Sequence, residues 1–294
     1  MPRTRTRATL IGIVALAFWA ALALLTRRAQ GIPPFELLAL NGAVAFAAGL
    51  IHLARRKRLA LVLPGRLWRP WLIAVAAIFL YHALYFHALA TVPAARASLI
   101  AYFWPLLIVV FAAMGSGGRL QIRHLAGAGL GLLGVGLVFA GRAGEAATGG
   151  PAPLGGYLAA AACAVIWAAY SVSNRRFSAV PSDMLVGVCG AVALLSALAH
   201  LAFEPSVAPS ARQWGAILAL GLGPLGLAFL AWDHATKHGN LPLLGALSYL
   251  TPLASTLLLV LAQEAPASPA LALAAVLIVA GAVVAARPRR TSVG

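Results

Sequence analysis

Trp19, Tyr81, Tyr85, Tyr102, Trp104, Trp167 and Tyr249 each carry a polar edge on an aromatic ring, and each falls inside an apolar stretch of this 294-residue chain. Such rings favour the interface between membrane and water, where one end is dry and the other wet. At mid-depth a tyrosine hydroxyl must find a partner or water. Several together predict a wet, ring-lined cavity rather than a dry core. Its faces could stack on flat solutes and attract an ammonium group, a cation–π contact worth roughly 0.5–2 kcal/mol. Tyr81 and Tyr85 stand one helical turn apart and share a face. His82, beside them, is the ionisable side chain expected at this depth, where such groups are functional candidates by default. It could orient a substrate or carry a coupled proton.

Pro105 and Pro252 follow Tyr102 and Tyr249 at the same interval. A proline inside a helix removes one hydrogen bond and frees the carbonyl four residues back. Those residues are Ala101 and Ser248. Free carbonyls at membrane depth are tolerated where they meet protein, water or a cavity, and they could accept from a substrate ammonium. Pro105 and Pro252 are therefore expected hinges. Asn41, Ser98, Ser171, Asn174, Ser255 and Thr256 could line a path or bind helices to one another. Gly127, Gly129, Gly131, Gly134 and Gly136 predict close helix contact and do not form a phosphate loop, because no Lys-Ser/Thr ending follows.

The elements that must position these residues follow from apolar length. A bilayer core of roughly 30 Å needs about 20 apolar residues of helix. Ten stretches qualify: 8–26, 35–54, 70–90, 95–114, 122–140, 154–173, 184–202, 212–232, 241–262 and 269–286. Hydrophobic residues make up 62% of the chain, above the roughly 45–50% of soluble domains. The expected class is an all-α polytopic membrane protein. The first stretch outruns a signal peptide's apolar region and is expected to be retained.

The net charge of +16 points to membrane orientation and anionic lipid rather than nucleic acid, because the cations cluster between apolar runs. With the N-terminus in the cytoplasm, only Arg27, Arg28, Arg96, Arg142 and Arg212 of the 22 Lys+Arg fall outside. Both termini are then cytoplasmic. Trp68, Trp71 and Trp232 are expected in the cytoplasmic aromatic belt, and Tyr157 and Trp214 in the outer one. His52, His87 and His200 fall near span ends, within reach of solvent. Asp233, near the end of the eighth stretch, is expected to pair with Lys237, one turn on, or to cap a helix boundary. Cys163 and Cys189 read as small hydrophobes. No metal-ligand spacing, cofactor motif, Ser/His/Asp set or HExxH is visible, so an intramembrane enzyme is not expected.

The chain also repeats itself. His87-Ala88 recurs as His234-Ala235, and Tyr102-Phe103-Trp104-Pro105-Leu106 as Tyr249-Leu250-Thr251-Pro252-Leu253. Phe18-Trp19-Ala20 resembles Ile166-Trp167-Ala168 at nearly the same offset. Several matches at nearly constant offset predict duplication, with units at 1–148 and 149–294. Five spans per unit would insert the second half from the opposite side. Inverted repeats of this kind commonly place a substrate site near the midplane and support alternating access.

With its duplicated unit, its Tyr-x-x-Pro-Leu segments and its Gly-rich fifth helix, nearly the whole chain resembles the EamA family of the drug/metabolite transporter superfamily. Tyr81-His82, Tyr85, Tyr102-Phe103-Trp104-Pro105 and Trp167 look most like its YddG-type aromatic amino acid exporters. The resemblance implies a monomeric ten-helix basket in a bacterial inner membrane, with a central cavity that faces one side at a time. It implies outward transport of aromatic amino acids or, alternatively, of other amphipathic metabolites or drugs. The substrate site it implies comprises Trp19, Tyr81, His82, Tyr85, Ala101, Tyr102, Trp104, Trp167, Ser248 and Tyr249. Many relatives keep an acidic residue after the Pro-bearing helix in both halves. Here Glu264 follows the ninth span, but Gly117 holds the matching place in the first half.

Overall fold

The computed structural model describes residues 2–115, 122–140, 154–263 and 269–286. The regular elements among them are all helical. The chain runs through α1 (Pro2–Ala20), α2 (Leu22–Arg28), α3 (Pro34–Arg55), α4 (Trp68–Thr91), α5 (Ala94–Ala101), α6 (Trp104–Gly115) and α7 (Ile122–Ala140). It continues through α8 (Leu154–Ser173), α9 (Leu185–Phe203), α10 (Ala211–Leu220), α11 (Ala228–His238), α12 (Leu241–Leu247), α13 (Leu250–Leu261) and α14 (Pro269–Ala286). A π-helical stretch, Gly221–Leu227, joins α10 to α11.

Among the described residues, 8 stretches are long and apolar enough to cross a bilayer, and Ile122–Leu137 and Pro269–Ala285 are shorter apolar helices. The chain is a multi-pass membrane protein. Exposed Leu72, Leu133, Leu198 and Val276 lie along these helices, as expected of a surface wetted by lipid. The linker around Gly149–Pro153, together with Gly117 and Glu264, lies outside the described residues.

The fourth and ninth stretches are each split. Residues 102–103 interrupt α5 and α6, and 248–249 interrupt α12 and α13. Expectation put the bends at Pro105 and Pro252. Instead each proline sits in the first turn of the second piece. A missing N–H does little harm there, because first-turn donors have no partner within the helix. The break therefore precedes the proline. The eighth stretch runs on to His238, which places Asp233 and Lys237 inside a helix.

Helix α1 packs on α11, α3 on α9, α4 on α8, and α7 on α14. Small residues set each approach. Gly42 faces Ala193 and Gly49 faces Val186, so α3 and α9 run antiparallel. Gly127 faces Gly281 and Ala285 while Gly134 faces Ala274 and Ile278, so α7 and α14 run antiparallel too. A Cβ on Gly127 would come within 2.5 Å of the Gly281 carbonyl oxygen, which accounts for glycine at this crossing.

A polar latch ties α3 to α9. The Glu204 carboxylate accepts from the backbone N–H of Phe35 and Glu36 at 3.0–3.1 Å, satisfying donors that the start of α3 leaves free. His200 Nδ1 lies 3.0 Å from Glu204 and its Nε2 lies 2.9 Å from Ser206 Oγ. Glu36 in turn accepts from the Val207 N–H. His200 is buried, contrary to the solvent access expected of a residue near a span end. Its partners come from the adjoining loop and from α3, which sequence position does not reveal.

Candidate functional site

The interior of the bundle is a connected group of rings. Trp19 on α1 meets Trp167 on α8 edge to face at 5.7 Å and Trp232 on α11 at 5.2 Å. Trp104, the first residue of α6, meets Trp232 at 5.6 Å and Trp167 at 6.5 Å. Phe229 touches both Trp19 and Trp167. Edge-to-face contacts of this kind add about 0.5–1.5 kcal/mol each beyond area burial. Two indoles are anchored by polar bonds. Trp19 Nε1 donates to the Pro224 carbonyl at 3.1 Å, and Trp232 Nε1 donates to Ser171 Oγ at 3.1 Å. The first acceptor lies in the π-helical stretch, a feature that recurs at functional sites.

The group extends through α4. Tyr81 contacts Trp167 at 5.7 Å, stacks on Tyr85 at 6.0 Å and meets His82 at 5.5 Å. The Tyr85 hydroxyl lies 2.9 Å from Ser98 Oγ, so this hydroxyl finds a partner on α5. His82 Nδ1 lies 2.7 Å from the Ile78 carbonyl oxygen. A carbonyl only accepts, so Nδ1 carries the proton, and Nε2 is an acceptor while the ring is neutral. His82 then packs against Phe86, which packs against Phe35 beside the Glu204 latch.

The remaining expected residues stand apart from the indoles. Tyr102 and Tyr249 belong to a second apolar cluster with Val109, Val135 and Ile278. Tyr249 is fully buried and its ring occupies the space that a Cβ on Gly131 would need. Ala101 closes α5, and Ser248 lies in the gap after α12, with its hydroxyl donating to the Leu244 carbonyl at 2.7 Å. The structure thus joins Trp19, Tyr81, His82, Tyr85, Trp104 and Trp167, and sets Ala101, Tyr102, Ser248 and Tyr249 beside the two helix breaks.

Trp232 corrects an expectation. It is completely buried at the centre of the indole group, not in an aromatic belt. The helix carrying it continues past the expected end, so its depth was misplaced. Trp68 is half exposed beneath the Arg69 guanidinium. Phe229 and Trp232 escaped the sequence reading, yet a signal existed. The offset that carries His87 onto His234 carries His82 onto Phe229 and Tyr85 onto Trp232.

Below the rings, the seam between α8 and α11 turns polar. Lys237 Nζ donates to Asp233 Oδ2 at 2.7 Å and to the Val180 carbonyl at 3.0 Å. Both side chains of this ion pair are 1% exposed. Asn174 Nδ2 donates to Asp233 Oδ1 and Thr236 Oγ1, both at 3.2 Å. Tyr170 touches Trp167 on one side and lies beside Asp233 on the other. The expected pairing of Asp233 with Lys237 is present, and burial makes it stronger than a surface pair. Cys163 and Cys189 are free and buried.

The EamA-like transporter model matches this chain twice, at residues 6–140 and 154–287. The chain belongs to the EamA-like transporter family, so the ring group sits inside a membrane transporter. It is similar to the aromatic amino acid exporter YddG of Ancylobacter novellus, 49% identical over 96% of this chain and 98% of that protein. Exporters of the same name from Salmonella typhimurium and Escherichia coli are 28% and 26% identical, each over 90% of this chain and 92% of its own. A crystal structure of a protein with 48% sequence identity superposes with a TM-score of 0.89, covering 96% of this chain and 97% of that one.

Proposed function

We propose that this protein exports aromatic amino acids across the bacterial inner membrane by alternating access. The observation that carries this reading is the indole group of Trp19, Trp104, Trp167 and Trp232, contributed by both halves of the chain and packed inside the bundle. A flat apolar ring replaces one of these contacts at little cost, because stacking and edge-to-face geometry serve a substrate ring as well as a protein ring. The names and coverage of the similar exporters support the same substrate class. Substrate would meet Trp19, Tyr81, His82, Tyr85, Trp104 and Trp167 directly. Tyr102, Tyr249 and the carbonyls of Ala101 and Ser248 would act where the fourth and ninth stretches break.

The alternating motion rests on two inverted five-helix repeats, residues 1–148 and 149–294, forming ten spans with both termini in the cytoplasm. The double family match supports the division. The helix pairing supports the inversion. Exchanging the halves carries the α1/α11 pair onto α8/α4, and carries α3/α9 and α7/α14 onto themselves. Helices that exchange under such an operation must run antiparallel if the axis lies in the membrane, as the glycine contacts of α3 with α9 and α7 with α14 have them.

The deciding experiment is release of labelled tryptophan, phenylalanine, tyrosine and leucine from liposomes carrying the purified protein, with and without a pH gradient. Faster release of the aromatic three is expected. Release of non-aromatic metabolites or drugs alone would move the substrate to another amphipathic class.

A further inference from the structure

We propose that the α8/α11 seam is a head-group subsite for a zwitterion, in which Asp233 takes the substrate's ammonium and Lys237 its carboxylate. This rests on the export of amino acids proposed above and deepens it. Along α8 and into the 3-10 turn that follows it, Trp167, Tyr170 and Asn174 follow one another at i, i+3 and i+7. Along α11, Phe229, Trp232, Asp233, Thr236 and Lys237 share the facing side by the same spacing. Both faces pass from rings to polar groups over about two helical turns, roughly 11 Å, and the α11 face ends in the charged pair. An aromatic amino acid has the same order, a ring at one end and two opposite charges at the other.

Charge compensation gives the pairing its physical reason. A charge taken from water into a dry interior is unfavourable unless a partner replaces the lost hydration. An amino acid among indoles brings two charges, and neither His82 nor a helix carbonyl answers both. Asp233 and Lys237 do, and they neutralise each other when the seam is closed, as it is here. Asn174 and the Val180 carbonyl hold each charge from the protein side. Exchange of the internal partner for the substrate's opposite charge therefore leaves no ion bare at any stage.

The test uses liposomes with the full-length protein and labelled tryptophan. Competitors are unlabelled tryptophan, tryptamine, which lacks the carboxylate, and indole-3-propionate, which lacks the ammonium. In the wild type, tryptophan is expected to compete at least about tenfold better than either analogue. In the Asp233→Leu/Lys237→Met double variant, both charges are replaced by apolar groups of similar volume, a change that folded proteins commonly tolerate. There the preference is expected to fall to within about twofold. A pair that serves only as a strut would alter stability and leave the preference unchanged. Equal competition by all three in the wild type overturns the inference, as does a folded double variant with wild-type preference. If the double variant does not elute as a single species, Asp233→Asn and Lys237→Gln are read singly: the first is expected to bring indole-3-propionate, and the second tryptamine, to within about twofold of tryptophan, and wild-type preference in both overturns the inference. Wild-type liposomes that release no aromatic amino acid would instead sink the export reading on which the subsite depends.

Discussion

Trp19 and Trp167 meet edge to face with ring centroids 5.7 Å apart, although one stands on α1 and the other on α8. In the sequence they are counterparts, each preceded by an apolar residue and followed by alanine. Their contact therefore marks where the two halves touch. Trp104 and Trp232 extend that contact on the sides of α6 and α11. An axis relating the halves would pass close to this group, so relative movement of the halves is expected to change these ring contacts.

The Trp104→Ala variant tests the ring group as a substrate site. Removing a buried indole costs about 3–5 kcal/mol of stability, so Trp104→Phe serves as a milder companion. Export of phenylalanine, measured as release from liposomes, is expected to fall about tenfold or more in Trp104→Ala and to recover in part in Trp104→Phe. Wild-type release by a folded Trp104→Ala protein would remove the indole group from the site.

His82 is fixed by its Nδ1 bond to Ile78. Asparagine can mimic Nδ1 and alanine can mimic neither ring nitrogen. His82→Asn is expected to keep the melting temperature and lose transport, because it retains a donor to the helix but lacks the Nε2 acceptor. His82→Ala loses the bond to Ile78 too and is expected to melt at a lower temperature as well as to lose transport, and neither variant can carry a proton at this position. An unchanged rate and pH response in His82→Ala would return this residue to a packing role.

The glycines of α7 make opposite predictions by position. Gly127→Val would drive a side chain into the backbone of α14, and overpacking of this kind costs about 1–3 kcal/mol. Gly129 has open space on its outer side, so Gly129→Ala is expected to be neutral or to stabilise by up to about 1 kcal/mol through helix propensity. Thermal unfolding in detergent separates the two.

Glu204→Gln tests the latch between α3 and α9. The amide oxygen can still accept from Phe35 and Glu36, but the charge that faces His200 is gone. A loss of about 1–3 kcal/mol is expected, the usual range for a charge-assisted bond at a partly buried site. An unaltered melting temperature would show that the charge of Glu204, as distinct from its acceptor oxygen, carries no stability.

The helix breaks at 102–103 and 248–249 predict where motion concentrates. Cysteines placed on α6 and α13, beyond the breaks, are expected to change their accessibility to a thiol reagent when substrate is added. Matching cysteines on α5 and α12 are expected to change less. If both pieces of each stretch respond alike, the breaks are not hinges.

Much of this molecule was legible before any coordinates. The apolar lengths mark the helices, because a bilayer admits little else. Trp19 and Trp167 read as members of one ring group, and their rings meet. Helical spacing offered the pairing of Asp233 with Lys237 as one of two readings, and the structure has it. Other features were hidden. Trp232 reads as an interface residue by position and is central in space, His200 reads as solvated and is enclosed, and Tyr102 reads beside Trp104 and packs in a different cluster.

The division has one physical cause. Apolar length and charge set the depth of a residue except near a span's end, where Trp232 was misplaced, because crossing a bilayer is a problem in one dimension and the sequence is one-dimensional. Which way a side chain points around its helix is another matter. In a soluble helix an apolar stripe gives the answer, but lipid and bundle interior are equally apolar, so that stripe is erased. Only the packing of glycine against helix and ring against ring decided which aromatic residues of this chain face one another.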